Sequence, residues 1–198
     1  MNEEVRHSIE AGDSKIFSRN ANDWIFWDMS FSKSKTSGLI LPDGSESTTT
    51  WSNASEQVFN YIEKHSGPFF LMLEAPLSFS FKDGNPIRRA FEPVNYEWYR
   101  NAGGGLAWGA AVFLNALSKT LKGKIYLFEA FITNANKTLT SKGADSHIRD
   151  ARLMRRIVVD ESTELLKNLN LENTTIESST KRFGLDFGIP PVLVANKE

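Results

Sequence analysis

The chain has 198 residues, with 23 Lys and Arg against 24 Asp and Glu, a net charge of −1, and no cysteine. The near-neutral balance lacks the whole-protein basic field of many nucleic-acid binders, which counts mildly against DNA or RNA. Without cysteine there are no disulfides, thiolate metal sites or cysteine nucleophile, so any bound metal needs oxygen or imidazole ligands, and hard cations are favoured.

Length and apolar content predict one globular domain. A chain of this size buries roughly 70% of its unfolded surface, and a 40% hydrophobic share with 14 Phe and 5 Trp argues against disorder. We expect a single domain over 1–198, with a core at about 24–170 between an N-terminal arm and a C-terminal extension. No apolar run reaches the roughly 20 residues of a membrane span, and the start lacks a secretory signal layout. We therefore expect a soluble, cytoplasmic protein.

The first predicted strand, residues 24–31, is an apolar run interrupted by Asp28. An unpaired carboxylate in a dry core is penalised by several kcal/mol, on the order quoted for buried ions. We therefore expect Asp28 at the strand edge, facing a cation or water. By itself it would also suit a turn cap or an arginine partner. The polar residues 1–22 before it predict an arm or a short helix.

Turn signals and short apolar or β-branched runs follow, at 39–41 and 48–51. With the first strand they predict a three-stranded antiparallel meander. A Ser/Asn cap signal and apolar residues at 58, 59 and 62 then predict a helix over 52–65, ended by Gly67 and Pro68.

A second apolar run, residues 69–73, is closed by Glu74, and Pro76 ends the strand because it lacks a backbone donor. The helix before it implies a right-handed crossover and parallel pairing with the first strand. Residues 78–93 predict a long loop with its tip at 82–86. Long ordered loops beside a carboxylate are often functional.

A helix is predicted over 96–122, either continuous or broken at the glycines 103–105. Such glycines can hold backbone amides against a phosphate, but no phosphate-binding spacing accompanies them, and a helix break is the simpler explanation. A third apolar strand, 124–131, carries Glu129.

The last predicted helix, 145–169, has Asp145, His147 and Asp150 in its first turns. Asp145 could simply cap it, and a lone histidine is more often a surface residue. Residues 190–195 predict one more strand or a docked tail.

Three apolar strands each carry one carboxylate, and together these three acids form a candidate site. We expect a central mixed sheet with the first strand in its middle, bringing Asp28, Glu74 and Glu129 into one cluster. His147 and Asp150, three residues apart, share a helix face and can point at the same centre.

Several arginines lie near these acids. Arg88, Arg89 and Arg100 flank the segment after Glu74, and a run on the last helix comprises Arg149, Arg152, Arg155 and Arg156. We predict that Arg88, Arg89, Arg149 and Arg152 contact phosphates. A solvated helix face is the alternative for the run.

The order strand-strand-strand-helix-strand-helix-strand-helix describes a ribonuclease H-like architecture. Asp28, Glu74 and the element His147-Ile-Arg-Asp150-Ala151 resemble the RuvC-like Holliday-junction resolvase branch of that superfamily. In that branch an Asp, a Glu and a His-x-x-Asp-Ala element bind divalent metal. The resemblance covers roughly residues 24–160.

Further elements look like uncharacterised predicted-nuclease families of the same fold. They are Leu73-Glu-Ala-Pro-Leu77, Arg88-Arg-Ala-Phe-Glu92 and Phe128-Glu129. Glu129 is extra relative to the resolvases, and the basic surface expected for junction binding is modest.

The resemblance implies a two-metal nuclease that hydrolyses phosphodiester bonds of DNA or RNA with Mg²⁺ or Mn²⁺. Its expected ligands are Asp28, Glu74, Glu129 and Asp150, and His147 ligates metal or moves a proton. Nucleic acid is the expected partner, with a homodimer or a larger protein complex as a further possibility. Two other classes stay open: a catalytically silent subunit of this fold, and a metal-dependent hydrolase or phosphotransferase acting on a small phosphorylated molecule.

Overall fold

The computed structural model describes residues 8–13, 18–31, 35–92, 102–133, 146–161, 166–167 and 175–196. The strands among them are β1 (Ser8–Ala11), β2 (Trp24–Asp28), β3 (Ser37–Ile40), β4 (Glu46–Thr49), β5 (Phe69–Leu73), β6 (Ser78–Lys82), β7 (Asn85–Ile87), β8 (Lys124–Thr133), β9 (Leu166–Lys167), β10 (Thr175–Ser178) and β11 (Val192–Asn196). The α-helices are α1 (Trp51–Lys64), α2 (Ala102–Thr120) and α3 (Ser146–Arg156), and α3 continues as a π-helix, Ile157–Glu161.

The main sheet is mixed, with the strand order β4-β3-β2-β5-β8-β11-β9. β2, β3 and β4 form an antiparallel meander, and β5 lies parallel to β2 and to β8. The predicted meander and the predicted parallel crossover are therefore confirmed. The crossover helix α1 begins after Thr50, whose hydroxyl accepts from the Asn53 N–H at 3.3 Å and so caps the first turn.

Two strands from opposite ends of the chain share one edge of β8. β1 pairs parallel with the first half of β8, and β11 pairs parallel with its second half. The prediction of an arm or helix over 1–22 is therefore wrong for residues 8–11. Only Ile9 of β1 is a buried hydrophobic residue, so the local pattern was too weak to indicate a strand. Pairing with β8 decides the conformation.

Helices cover both faces of the sheet. One face packs against α1 and α2 and includes Ile25, Trp27, Leu71 and Leu127. The other face packs against α3, and its members are Phe26, Met72, Phe128, Ala130, Ile148, Ala151 and Met154, among others. Burial on both faces explains why β5 is apolar along its whole length, and β2 is apolar as far as Trp27, instead of alternating.

The loop predicted over 78–93 is wrong in its first half, because β6 and β7 form a hairpin there. Its turn uses Asp83 and Gly84, both with positive φ (51° and 76°). Asp-Gly is a strong hairpin-turn signal. β10 pairs with the other edge of β6, which completes a second, three-stranded antiparallel sheet.

The two later helices also differ from prediction. α2 runs unbroken through the glycines 103–105, so of the two predicted alternatives the continuous helix is confirmed there and the break is wrong. The regular α-helix of α3 ends at Arg156, and β9 lies within the range predicted as helix. The predicted helix start at 96–100 and the candidate cap Asp145 lie outside the described residues.

Candidate metal centre

Two acids lie side by side where β2 and β5 end. Trp27 is in register with Leu73, and the Glu74 N–H donates to the Trp27 carbonyl at 3.0 Å. Since side chains alternate along a strand, Asp28 and Glu74 share the sheet face of Phe26 and Met72, which is the α3 face. The strands thus deliver both acids to one place.

The third acid, Asp150, comes from α3. Ligand atoms of Asp28, Glu74 and Asp150 all lie within 4.8 Å of one another, and we call these three residues the acidic trio. Asp28 is 4% exposed and Asp150 7% exposed, while Glu74 is half-buried. The cluster is therefore a largely enclosed group of oxygens with one partly open member.

A close backbone approach at Gly38 allows α3 to reach this position. Gly38 pairs with Asp28 across the β2–β3 ladder. A Cβ atom on Gly38 would lie 2.3 Å from the carbonyl carbon and oxygen of His147, closer than atoms can pack. Glycine at this one position lets the first turn of α3 lie directly over the strand.

His147 supports the trio from the first turn of α3. Its Nδ1 lies 2.8 Å from Asp28 Oδ2, and because a carboxylate accepts, this ring nitrogen is the donor. His147 and Asp150 lie on the same side of the helix, as the three-residue spacing predicts. The histidine thus orients Asp28 and partly offsets its negative charge when protonated.

The donor set of the trio fits a hard divalent cation. All three groups are carboxylates, and Mg²⁺ and Mn²⁺ prefer oxygen ligands, with remaining positions filled by water or substrate oxygens. Three like charges this close repel one another, and a cation removes that repulsion. The trio could therefore hold a metal ion, whose identity the donor set leaves open.

Glu129 does not join the trio, and the prediction that it would is corrected. It is in register with Leu73, so alternation puts it on the face of Leu127, opposite Asp28 and Glu74. It also lies inside β8, which continues to Thr133 because β11 pairs with that half.

Glu129 instead forms a buried ion pair with Arg89. The Glu129 carboxylate is fully enclosed, and one of its oxygens accepts from Arg89 Nη1. Its other oxygen accepts from the Leu77 N–H at 3.0 Å and the Ser78 hydroxyl at 3.1 Å. Burial raises the pKa of the Glu129 carboxyl, while the Arg89 charge and these hydrogen bonds act in the opposite direction.

Arg89 is 2% exposed, so its predicted contact with nucleic acid is also corrected. Its Nε donates to Glu92 Oε1 at 2.7 Å, and its guanidinium lies 4.5 Å from the centre of the Phe91 ring. Neither Glu92 nor Ser78 was predicted as a site residue. An Arg-x-x-Glu spacing after an apolar strand was the available signal for the pair Arg89 and Glu92.

The other three predicted phosphate contacts differ in accessibility. Arg88 is half-buried, and its Nη1 donates to the carbonyls of Arg89 and Glu92. Arg149 and Arg152 are exposed on α3. Arg152 Nε donates to Glu46 Oε2 at 2.8 Å, an exposed pair of the kind that contributes little stability. Arg149 and Arg152 are thus open to solvent on the helix that carries Asp150.

Comparison of the chain with protein-family models, curated proteins and solved structures finds no match. Among the described parts of the chain, no helix has the length and apolarity needed to cross a membrane.

Proposed function

We propose that this protein is a metal-dependent nuclease with a ribonuclease H-like fold, which hydrolyses phosphodiester bonds in DNA or RNA. The observation that carries the proposal is the convergence of Asp28, Glu74 and Asp150 within 4.8 Å. The strand order supports it, because three antiparallel strands are followed by β5 and β8, both parallel to the first of them. This is the order expected for the ribonuclease H-like resemblance.

In this proposal the trio binds the cations, and each carboxylate must be ionised to do so. Mg²⁺ or Mn²⁺ would supply an activated water and stabilisation of the leaving oxygen, as in two-metal phosphoryl-transfer sites. His147 holds Asp28 in place through its Nδ1–H at 2.8 Å. Glu74 is the half-buried member, which leaves the trio partly open to solvent.

Arg149 and Arg152 supply the positive charge that a phosphate backbone needs. Both are exposed on the helix that carries Asp150, so a strand that places one phosphate at the trio can place neighbouring phosphates near α3. Each neutralised phosphate releases counterions. Binding is therefore expected to weaken as salt rises, and the double variant Arg149→Gln/Arg152→Gln is expected to lower the salt dependence.

The test incubates the purified protein with single-stranded, duplex, branched and RNA substrates in Mg²⁺ or Mn²⁺. Asp28→Asn and Glu74→Gln should each abolish cleavage, because each removes a charged ligand. The matched control is Glu56→Gln, which neutralises an exposed acid on α1 and should leave cleavage intact.

Three outcomes would contradict the proposal. Cleavage that survives Asp28→Asn and Glu74→Gln points to a contaminant or another site. Salt-sensitive binding without cleavage of any substrate favours the silent subunit. Turnover in a panel of nucleotides and small phosphate esters, without cleavage of polymers, favours the small-molecule enzyme.

A further inference from the structure

After β5 the chain leaves the main sheet at Glu74 and reaches β6 at Ser78. We call residues 74–78 the Glu74 segment. Its first residue is anchored to β2, since the Glu74 N–H donates to Trp27 O at 3.0 Å. Near its end, the Leu77 carbonyl accepts from the Ser179 N–H at 2.8 Å. Residues 74–77 belong to no strand, so few ladder hydrogen bonds hold them.

Glu129 and Arg89 add further hydrogen bonds to this segment. Glu129 accepts from the Leu77 N–H at 3.0 Å and from the Ser78 hydroxyl at 3.1 Å. Arg89 Nη1 donates to the Ser78 carbonyl at 3.1 Å and also to Glu129. These groups lie in the interior, and hydrogen bonds to a charged partner in a dry environment are among the stronger ones.

Glu129 must be ionised to bind both Arg89 and the Glu74 segment. A carboxylate accepts at both oxygens, and Glu129 uses one oxygen for Arg89 and the other for the Glu74 segment. A glutamine side chain accepts only at its carbonyl oxygen, and its NH₂ group only donates, so it cannot accept from both sides. The ion pair also explains why two ionised groups are retained at 0% and 2% exposure, where burial of a single charge is strongly unfavourable.

We propose that Glu129 and Arg89 are positioning residues for the acidic trio, acting from the opposite face of the sheet by holding the Glu74 segment. The inference rests on the proposed metal centre. Groups that orient metal ligands without touching the metal commonly change affinity by 10–100-fold when removed. Glu129 therefore has a role at the site although it is not a ligand.

The experiment compares full-length wild type with Glu129→Gln and Ser78→Ala. Hydrogen exchange followed by mass spectrometry, without metal, reports on peptides that cover residues 74–78. Isothermal titration with Mn²⁺ alone reports on the trio. Leu117→Ala, a truncation of a buried α2 residue, is the control for general loss of stability, and urea unfolding places all variants on one scale.

We expect Glu129→Gln to speed exchange in the Glu74 segment selectively and to weaken Mn²⁺ binding about tenfold or more. Ser78→Ala should have a smaller effect in the same direction. Leu117→Ala should leave Mn²⁺ affinity unchanged while the protein remains folded.

Unchanged exchange in residues 74–78 of Glu129→Gln would overturn the proposal, as would Mn²⁺ affinity lowered no more than in Leu117→Ala. A wild type that binds no Mn²⁺ would overturn the proposed function instead. Faster local exchange in Glu129→Gln would then still support the hold on the segment, and unchanged exchange would refute it.

Discussion

Replacing Arg89 by methionine should destabilise the protein more than replacing Glu129 by glutamine. Arg89 is bonded to two carboxylates, those of Glu129 and Glu92, and the side chains in these pairs are 0–3% exposed. Arg89→Met leaves both acids buried without this cation. Glu129→Gln leaves Arg89 paired with Glu92.

The magnitude follows from burial. Removing one partner of a buried pair costs about 3–5 kcal/mol because an uncompensated charge stays behind. For a domain of this size, each kcal/mol lowers Tm by roughly 2–4 °C, so Arg89→Met should lower Tm by roughly 6–20 °C. Glu129→Gln exchanges a charged acceptor for a neutral one and should cost about 1–3 kcal/mol.

The loss of stability in Arg89→Met should depend on pH. Burial raises the pKa of Glu129 in the folded protein above its ordinary value of 4.5, and Arg89 is the main cause in the lowering direction. Without Arg89, the Glu129 carboxyl binds a proton more tightly in the folded state than in the unfolded state. The free energy of unfolding therefore falls as pH rises from the ordinary value through the raised one, and acidification should recover stability.

Urea unfolding of wild type and both variants measures these differences, once at neutral pH and once at a pH near the ordinary carboxyl pKa of 4.5. An Arg89→Met protein that is no less stable than Glu129→Gln would refute the reasoning. So would a loss that stays constant as pH is lowered, since a buried unpaired carboxylate must respond to its proton.

Two further predictions concern the acidic trio and α3. Mg²⁺ or Mn²⁺ should raise Tm by mass action, since a hundredfold excess over Kd adds about 2.7 kcal/mol to the free energy of unfolding. Asp28→Asn or Asp150→Asn should remove most of this effect and raise the metal-free Tm by relieving repulsion. Differential scanning fluorimetry with and without EDTA checks both, and equal metal shifts in wild type and variants would contradict the first. Gly38→Ala should destabilise by roughly 1–3 kcal/mol, because its Cβ would lie 2.3 Å from the backbone of His147. The matched control is Gly105→Ala, where a Cβ meets nothing within 4 Å, and urea unfolding should show the smaller change there.

Part of the fold follows from local sequence. The apolar runs ending at Asp28 and Glu74, and the Gly67-Pro68 stop after α1, are short-range patterns, and the strands and helix they predict are present. The parallel placement of β5 followed from the helix before it. Two of the three trio members were identified because a carboxylate that closes a buried strand is conspicuous in the sequence.

Tertiary structure alone decided the rest. Which face Glu129 occupies depends on its register with Leu73 and on the continuation of β8 beside β11, and a shift of one residue would reverse the face. The burial of Arg89 depends on Glu129, 40 residues further along the chain. The sequence by itself thus determined which acids end strands or open α3, because those signals are local. The structure decided which of them meet, because register and pairing join residues far apart in the chain.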